Sequence, residues 1–174
     1  NKPTGLLGVN IGPNKDSKDK LNDYLTCLKK FHDIADYITI NISSPNTENL
    51  REFHDQNKLE KLIGSINLQM KELKSNTPIV VKISPDILDQ QATQISEILL
   101  NNQIKGIIVS NTTEGKRENL INISKHQKGG LSGKPLESRS NQLINIFYNL
   151  LKGKISIIGV GGVDSGESAY AKFL

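Results

Sequence analysis

Five times along the chain a short, almost purely apolar run is followed by a polar stretch and then by apolar residues spaced three and four apart. The runs at 6–11, 37–41, 79–83, 106–110 and 155–160 are too short for helices and too continuously apolar for strands with one face in water. Strands of that kind belong to parallel sheets covered by helices. The intervening stripes are helical: Leu21, Tyr24, Leu25, Leu28 and Phe31; Leu59, Leu62, Ile63, Ile66, Met70 and Leu73; Ala92, Ile95, Ile98 and Leu99; Leu143, Ile146, Phe147, Leu150 and Leu151. From Asp164 a further helix begins with Asp and Ser capping residues and stops at Leu174. Strict alternation of this sort predicts an α/β fold, either a doubly wound sheet or an eight-stranded barrel, and does not choose between them.

Two strand-to-helix connections, 42–57 and 111–137, are much longer than the few residues that usually suffice. Both follow the C-terminal end of a strand, which is where barrel enzymes build their sites. The composition excludes several other classes. A hydrophobic fraction of 36% with 23% charged residues is that of a globular domain rather than a disordered one. The net charge of +4 comes from Lys scattered among acids, with no basic block, so nucleic acid is not an expected partner. The single cysteine, Cys27, lies in a helical stripe and has no partner for an internal disulfide. No apolar run approaches the roughly 18 residues that span a bilayer. His32, His54 and His126 lack metal-ligand spacing and are expected on the surface or in loops, so no metal site is expected.

What stands at the strand ends carries the chemistry: Asn10, Asn41, Lys82, Ser110 with Asn111, and Gly161-Gly162. In a parallel sheet these residues converge on one rim. A lone Asn at such a place is an ordinary turn former; five consecutive polar strand ends are harder to explain as turns. Lys82 interrupts an apolar run, and a buried ammonium needs an anion or hydrogen-bond acceptors unless it snorkels to an edge. The glycines of 129–133 and 159–162 allow backbone amides to approach a ligand, and the second group precedes a helix start, an arrangement that suits a phosphate.

Taken in order, Gly8-Val9-Asn10-Ile11-Gly12, Asn41-Ile42-Ser43-Ser44-Pro45-Asn46-Thr47, Val81-Lys82-Ile83, Ser110-Asn111-Thr112-Thr113, Gly129-Gly130-Leu131-Ser132-Gly133-Lys134-Pro135-Leu136 and Ile158-Gly159-Val160-Gly161-Gly162-Val163 resemble the dihydroorotate dehydrogenase family, of the quinone-linked class. The second and fifth segments are highly specific. The resemblance implies a (β/α) barrel rather than an open sheet, with residues 1–174 forming a partial TIM barrel: the central to late part of one domain, truncated at both ends. It implies oxidation of dihydroorotate to orotate in pyrimidine biosynthesis, with FMN as the hydride acceptor and quinone as the final one. By the same resemblance Asn10, Asn41, Lys82, Ser110, Gly133 and Gly162 contact FMN, and Asn41, Asn46, Asn111 and Thr112 hold the substrate.

Ser44 is implied as the base that takes a proton from C5 of the substrate as hydride leaves C6. The soluble class usually has Cys there, as do other FMN barrels acting on pyrimidines, so Ser44 is the residue that separates the readings. Ser43, its neighbour, is expected to matter much less. Ser110 stands where the quinone-linked class often has Thr, with the hydroxyl retained. A peripheral inner-membrane location and quinone contact are implied only through an N-terminal segment not present in these residues. The alternatives are another FMN barrel acting on pyrimidines and a polypeptide that by itself binds nothing.

Overall fold

A computed structural model describes residues 4–115, 117–118 and 120–174. The apolar runs become strands β1 (Gly8–Ile11), β2 (Tyr37–Asn41), β3 (Ile79–Lys82), β4 (Gly106–Val109) and β5 (Ser156–Gly159). They form one sheet in the order β1-β2-β3-β4-β5, and every neighbouring pair is parallel. The stripes become helices α1 (Lys20–Phe31), α2 (Gln56–Glu72), α3 (Asp89–Asn101) and α4 (Glu137–Leu151), with a short α5 (Gly166–Tyr170). Asp19 and Asp55 cap the first two, accepting from Asn22 N at 3.0 Å and Lys58 N at 3.2 Å. Such caps are worth about 1 kcal/mol each.

Helix neighbours follow chain order: α1 packs on α2, α2 on α3 and α3 on α4. A doubly wound sheet reverses its strand order partway and distributes helices over both faces. Sequential strands with sequential helix neighbours form instead an arc of a barrel, as expected. One pleat of each strand faces the helices. Ile38, Ile40, Val81, Ile107 and Val109 lie there, buried with Leu28, Ile63, Ile66, Leu99 and Phe147. Each such side chain contributes about 1.5–3 kcal/mol of burial. Because parallel register keeps paired residues on the same side, Asn10, Thr39, Asn41, Val80, Lys82 and Ile108 share the opposite pleat.

β1 begins later than its apolar run, since Leu6 is exposed and the Leu7 N–H is drawn to the Asp36 carboxylate at 2.8 Å. The long connections are built rather than loose. Residues Leu50–His54 form a 3₁₀ turn in the first; Ile123–His126 and Lys134–Leu136 do so in the second. The second also folds back, with Thr113 and Leu131 exchanging backbone hydrogen bonds at 3.0 and 2.7 Å.

Candidate active site

Asn41 and Lys82 are direct neighbours at the C-terminal ends of β2 and β3, and Asn10 lies on the same face one pleat lower, opposite Thr39. The strand-end residues therefore gather on one rim, as the parallel reading requires. Asn41 is the hub. Its Oδ1 accepts from Ser43 N (3.2 Å), Ser43 Oγ (3.0 Å) and Asn111 Nδ2 (3.3 Å), and its backbone carbonyl accepts from the Tyr24 hydroxyl at 2.7 Å. Burial pushes the Tyr24 phenol well up, so it stays a donor. With the oxygen so engaged, the Asn41 NH2 group has no partner among the described residues and is available to a ligand.

Asn111 is held on both ends of its amide, donating to Ser43 Oγ at 2.9 Å and accepting from Thr112 N at 2.9 Å. Ser43 is wholly buried, and its hydroxyl also lies 2.9 Å from the carbonyl of Lys82. Ser44 is different. It is part-exposed, and its Oγ accepts only from Asn46 N at 3.3 Å among the described residues. Among the described residues its hydroxyl proton thus has no acceptor. Asn46 itself is exposed at the loop surface.

Lys82 is half-buried, and its ammonium has neither ion pair nor hydrogen bond among the described residues; burial lowers its pKa. Ser110, which follows a cis peptide at Val109, is buried, with its hydroxyl 3.1 Å from the Asn111 carbonyl. Gly133 has φ +79° and open space where a Cβ would stand. Gly162 has φ +73°, and a Cβ there would strike the first residue of α4, Glu137. A cleft of about 670 Å³ touches Pro45, Asn46, Glu114, Arg117 and Gly129, but not Asn41, Lys82, Ser110, Asn111, Gly133 or Gly162.

Several residues at the site were not foreseen. Arg51, from the 3₁₀ turn after β2, reaches the Ser43 carbonyl (Nε, 3.3 Å), the Thr112 carbonyl (3.0 Å) and Asp86 Oδ2 (2.7 Å). Asp86 in turn accepts from Glu114 N at 2.8 Å and from the Thr113 hydroxyl. The strand-end logic applied to β3 would have found Asp86, which follows Ser84-Pro85. Nothing in the spacing of Arg51 announces its contacts. Of the surface or loop position expected for His54, only the loop holds: it ends the 3₁₀ turn after β2 and is 2% exposed. Its Nε2 accepts from Ser84 N at 3.1 Å, so Nδ1 carries the proton donated to the Arg51 carbonyl at 2.8 Å. Burial lowers its pKa to about 4. Ser43, expected to matter little, sits at the centre of the network.

Sheet and rim together define an α/β-barrel protein whose polar, carboxamide-rich site lies at the C-terminal ends of its strands. The family model for dihydroorotate dehydrogenase matches residues 1–174. The chain is 44% identical over 174 residues to a dihydroorotate dehydrogenase (quinone) of Idiomarina loihiensis, covering 97% of this chain and 52% of that protein. It is 44% identical over 176 residues to the protein of the same name from Buchnera aphidicola subsp. Schizaphis graminum, covering 98% and 52%. Two crystal structures of DHODH from Eimeria tenella superpose on it. The complex with ferulenol has a TM-score of 0.90 and 33% identity, covering 96% of this chain and 49% of that one. The ligand-free form has a TM-score of 0.91 and 34% identity, covering 96% and 50%. This chain belongs to the dihydroorotate dehydrogenase family. It spans about half the length of the curated relatives it matches.

Proposed function

We propose that this chain forms the central to late part of a single barrel domain of a quinone-linked dihydroorotate dehydrogenase, which oxidises dihydroorotate to orotate in pyrimidine biosynthesis. The observation that carries this reading is the Asn41–Ser43–Asn111 cluster lying beside Lys82 on one rim, whose ammonium has no partner among the described residues, with Ser44 following in the chain. Carboxamides offer both donors and acceptors, which matches the alternating N–H and C=O groups of a dihydropyrimidine ring. Asn41, Asn46, Asn111 and Thr112 are the proposed substrate contacts.

The residues fit FMN. A half-buried ammonium without a partner among the described residues suits a ring that gains negative charge on reduction, and Gly133 leaves open space where a side chain would stand. Asn10, Asn41, Lys82, Ser110, Gly133 and Gly162 would hold it. When bound, the flavin would supply the acceptor for the hydride from C6 and the electrons for quinone. Ser44 takes the C5 proton as its own hydroxyl proton passes to water, which reaches its part-exposed side chain. No described helix is long and apolar enough to cross a membrane. Quinone and peripheral contact with the inner membrane are assigned to a segment outside these residues.

Anaerobic addition of dihydroorotate to the full-length, FMN-loaded protein tests the reading. The flavin absorbance should bleach with formation of orotate, and a short-chain quinone should restore it. A flavin that stays oxidised with dihydroorotate, yet is reduced by another dihydropyrimidine, would overturn it in favour of a different pyrimidine-acting barrel.

A further inference from the structure

Arg51 spends its whole guanidinium on three strand-end loops. Nε donates to the Ser43 carbonyl at 3.3 Å, one terminal nitrogen donates to the Thr112 carbonyl at 3.0 Å, and the other pairs with Asp86 at 2.7 Å and Glu114 at 3.1 Å. These partners lie after β2, β4, β3 and β4 respectively. The Ser43 carbonyl belongs to the peptide bond that carries the Ser44 nitrogen, so its orientation governs how Ser44 is presented. The Thr112 carbonyl likewise belongs to the segment beside Asn111.

The arginine is itself held from below. The His54 imidazole donates to the Arg51 carbonyl and accepts from Ser84 N, tying the turn to the loop after β3. Burial keeps that ring neutral, which preserves the donor-acceptor pair. Asp86 is fixed by Glu114 N and the Thr113 hydroxyl on its carboxylate, while its own N–H donates to Ser84 Oγ at 3.1 Å. The result is a closed set of contacts under the loop that bears Ser44.

We propose that Arg51 is a positioning residue that holds the Ser43–Ser44 peptide against the substrate-binding loop after β4, and so sets the placement of Ser44 for proton transfer. This rests on the reading of Ser44 as the base. Lysine keeps the charge but replaces a planar fork by one ammonium, which cannot reach all three loops at once. A misplacement on the order of 1 Å costs roughly a hundredfold in rate.

The test is a double-mutant cycle on the full-length, FMN-loaded protein, reading the limiting rate of flavin reduction at saturating dihydroorotate. Saturation separates the placement of Ser44 from substrate binding. Arg51→Lys should lower that rate about a hundredfold in the native background and, once Ser44→Ala has removed the group being placed, by no more than about twofold. The same hundredfold loss in both backgrounds would overturn the proposal, because the arginine would then serve the fold or pocket at large. Should Arg51→Lys lose its flavin, Asp86→Asn takes its place in the cycle. It keeps the shape but removes the charge facing the guanidinium, and should cost about tenfold with the same dependence on Ser44. An additive result with Asp86→Asn would equally overturn it. If the native protein is not reduced by dihydroorotate at all, the functional reading fails instead, and the two failures are distinguished.

Discussion

Ser43 and Ser44 are adjacent and chemically identical, yet the fold gives them different work. The buried Ser43 hydroxyl joins Asn41, Asn111 and the Lys82 carbonyl, whereas the part-exposed Ser44 hydroxyl donates to none of the described residues. In the full-length protein, Ser44→Ala should leave orotate bound and slow flavin reduction by roughly a hundred- to ten-thousand-fold, the usual worth of general-base catalysis. Ser43→Ala should act differently, loosening orotate and lowering stability by about 1–3 kcal/mol, because it strands buried hydrogen-bonding groups. Orotate titration alongside single-turnover absorbance distinguishes them, and a Ser44→Ala variant that reduces its flavin at the native rate would refute the assignment. His54 makes a prediction in pH. Its pKa falls from 6.5 to about 4 on folding, so the unfolded chain takes up a proton first as pH drops. The stability is fully present above about 6.5 and is lost as pH falls towards 4, by about 3 kcal/mol in all. Urea midpoints from pH 7 to 4 should show a steeper decline in the native protein than in His54→Gln; parallel profiles would remove His54 as the source.

Among the elements, two glycines of opposite circumstance show where backbone approach matters. A Cβ on Gly130 would fall on the Thr112 hydroxyl and 3.1 Å from Pro45 Cγ, because the segment that returns to pair with Thr113 runs directly over the proposed substrate contact. Gly130→Ala must push that segment or Thr112 aside. Overpacking of this kind costs about 1–3 kcal/mol, and orotate affinity in the FMN-loaded protein should fall by about five- to a hundredfold. Gly64, in the middle of α2, has open space around it. Gly64→Ala should raise stability by up to about 1 kcal/mol through helix propensity and leave orotate affinity unchanged. Calorimetric titration and thermal melts on both variants check the contrast, which disappears if Gly130→Ala binds orotate normally.

At the scale of the whole molecule, five parallel strands form an arc with β1 and β5 at its two edges. The face opposite the helices is only partly covered: Ile158 of β5 is 40% exposed, and Asn10 of β1 is exposed as well. An eight-stranded barrel would pair both edges and enclose that face. The 174-residue polypeptide on its own should therefore bind FMN weakly and self-associate through its edges. Fluorescence titration with FMN and sedimentation at several concentrations would show it, and tight stoichiometric binding by a monomer would contradict it.

The number of strands, their places along the chain and the end of the sheet at which the polar groups gather were all legible in the sequence. Each depends on a local period, and a period of two or of 3.6 can be read without knowing what packs where. Asn10, Asn41, Lys82, Ser110 and Asn111 stood out because they end apolar runs. The division of labour between Ser43 and Ser44, the burial of His54 and the reach of Arg51 were not legible. They arise from hydrogen bonds across as many as 68 positions of chain, from Ser43 to Asn111, which no local pattern encodes. Only closing β2, β3 and β4 side by side brings the three loops within reach of one guanidinium, and that proximity is a property of the packed sheet.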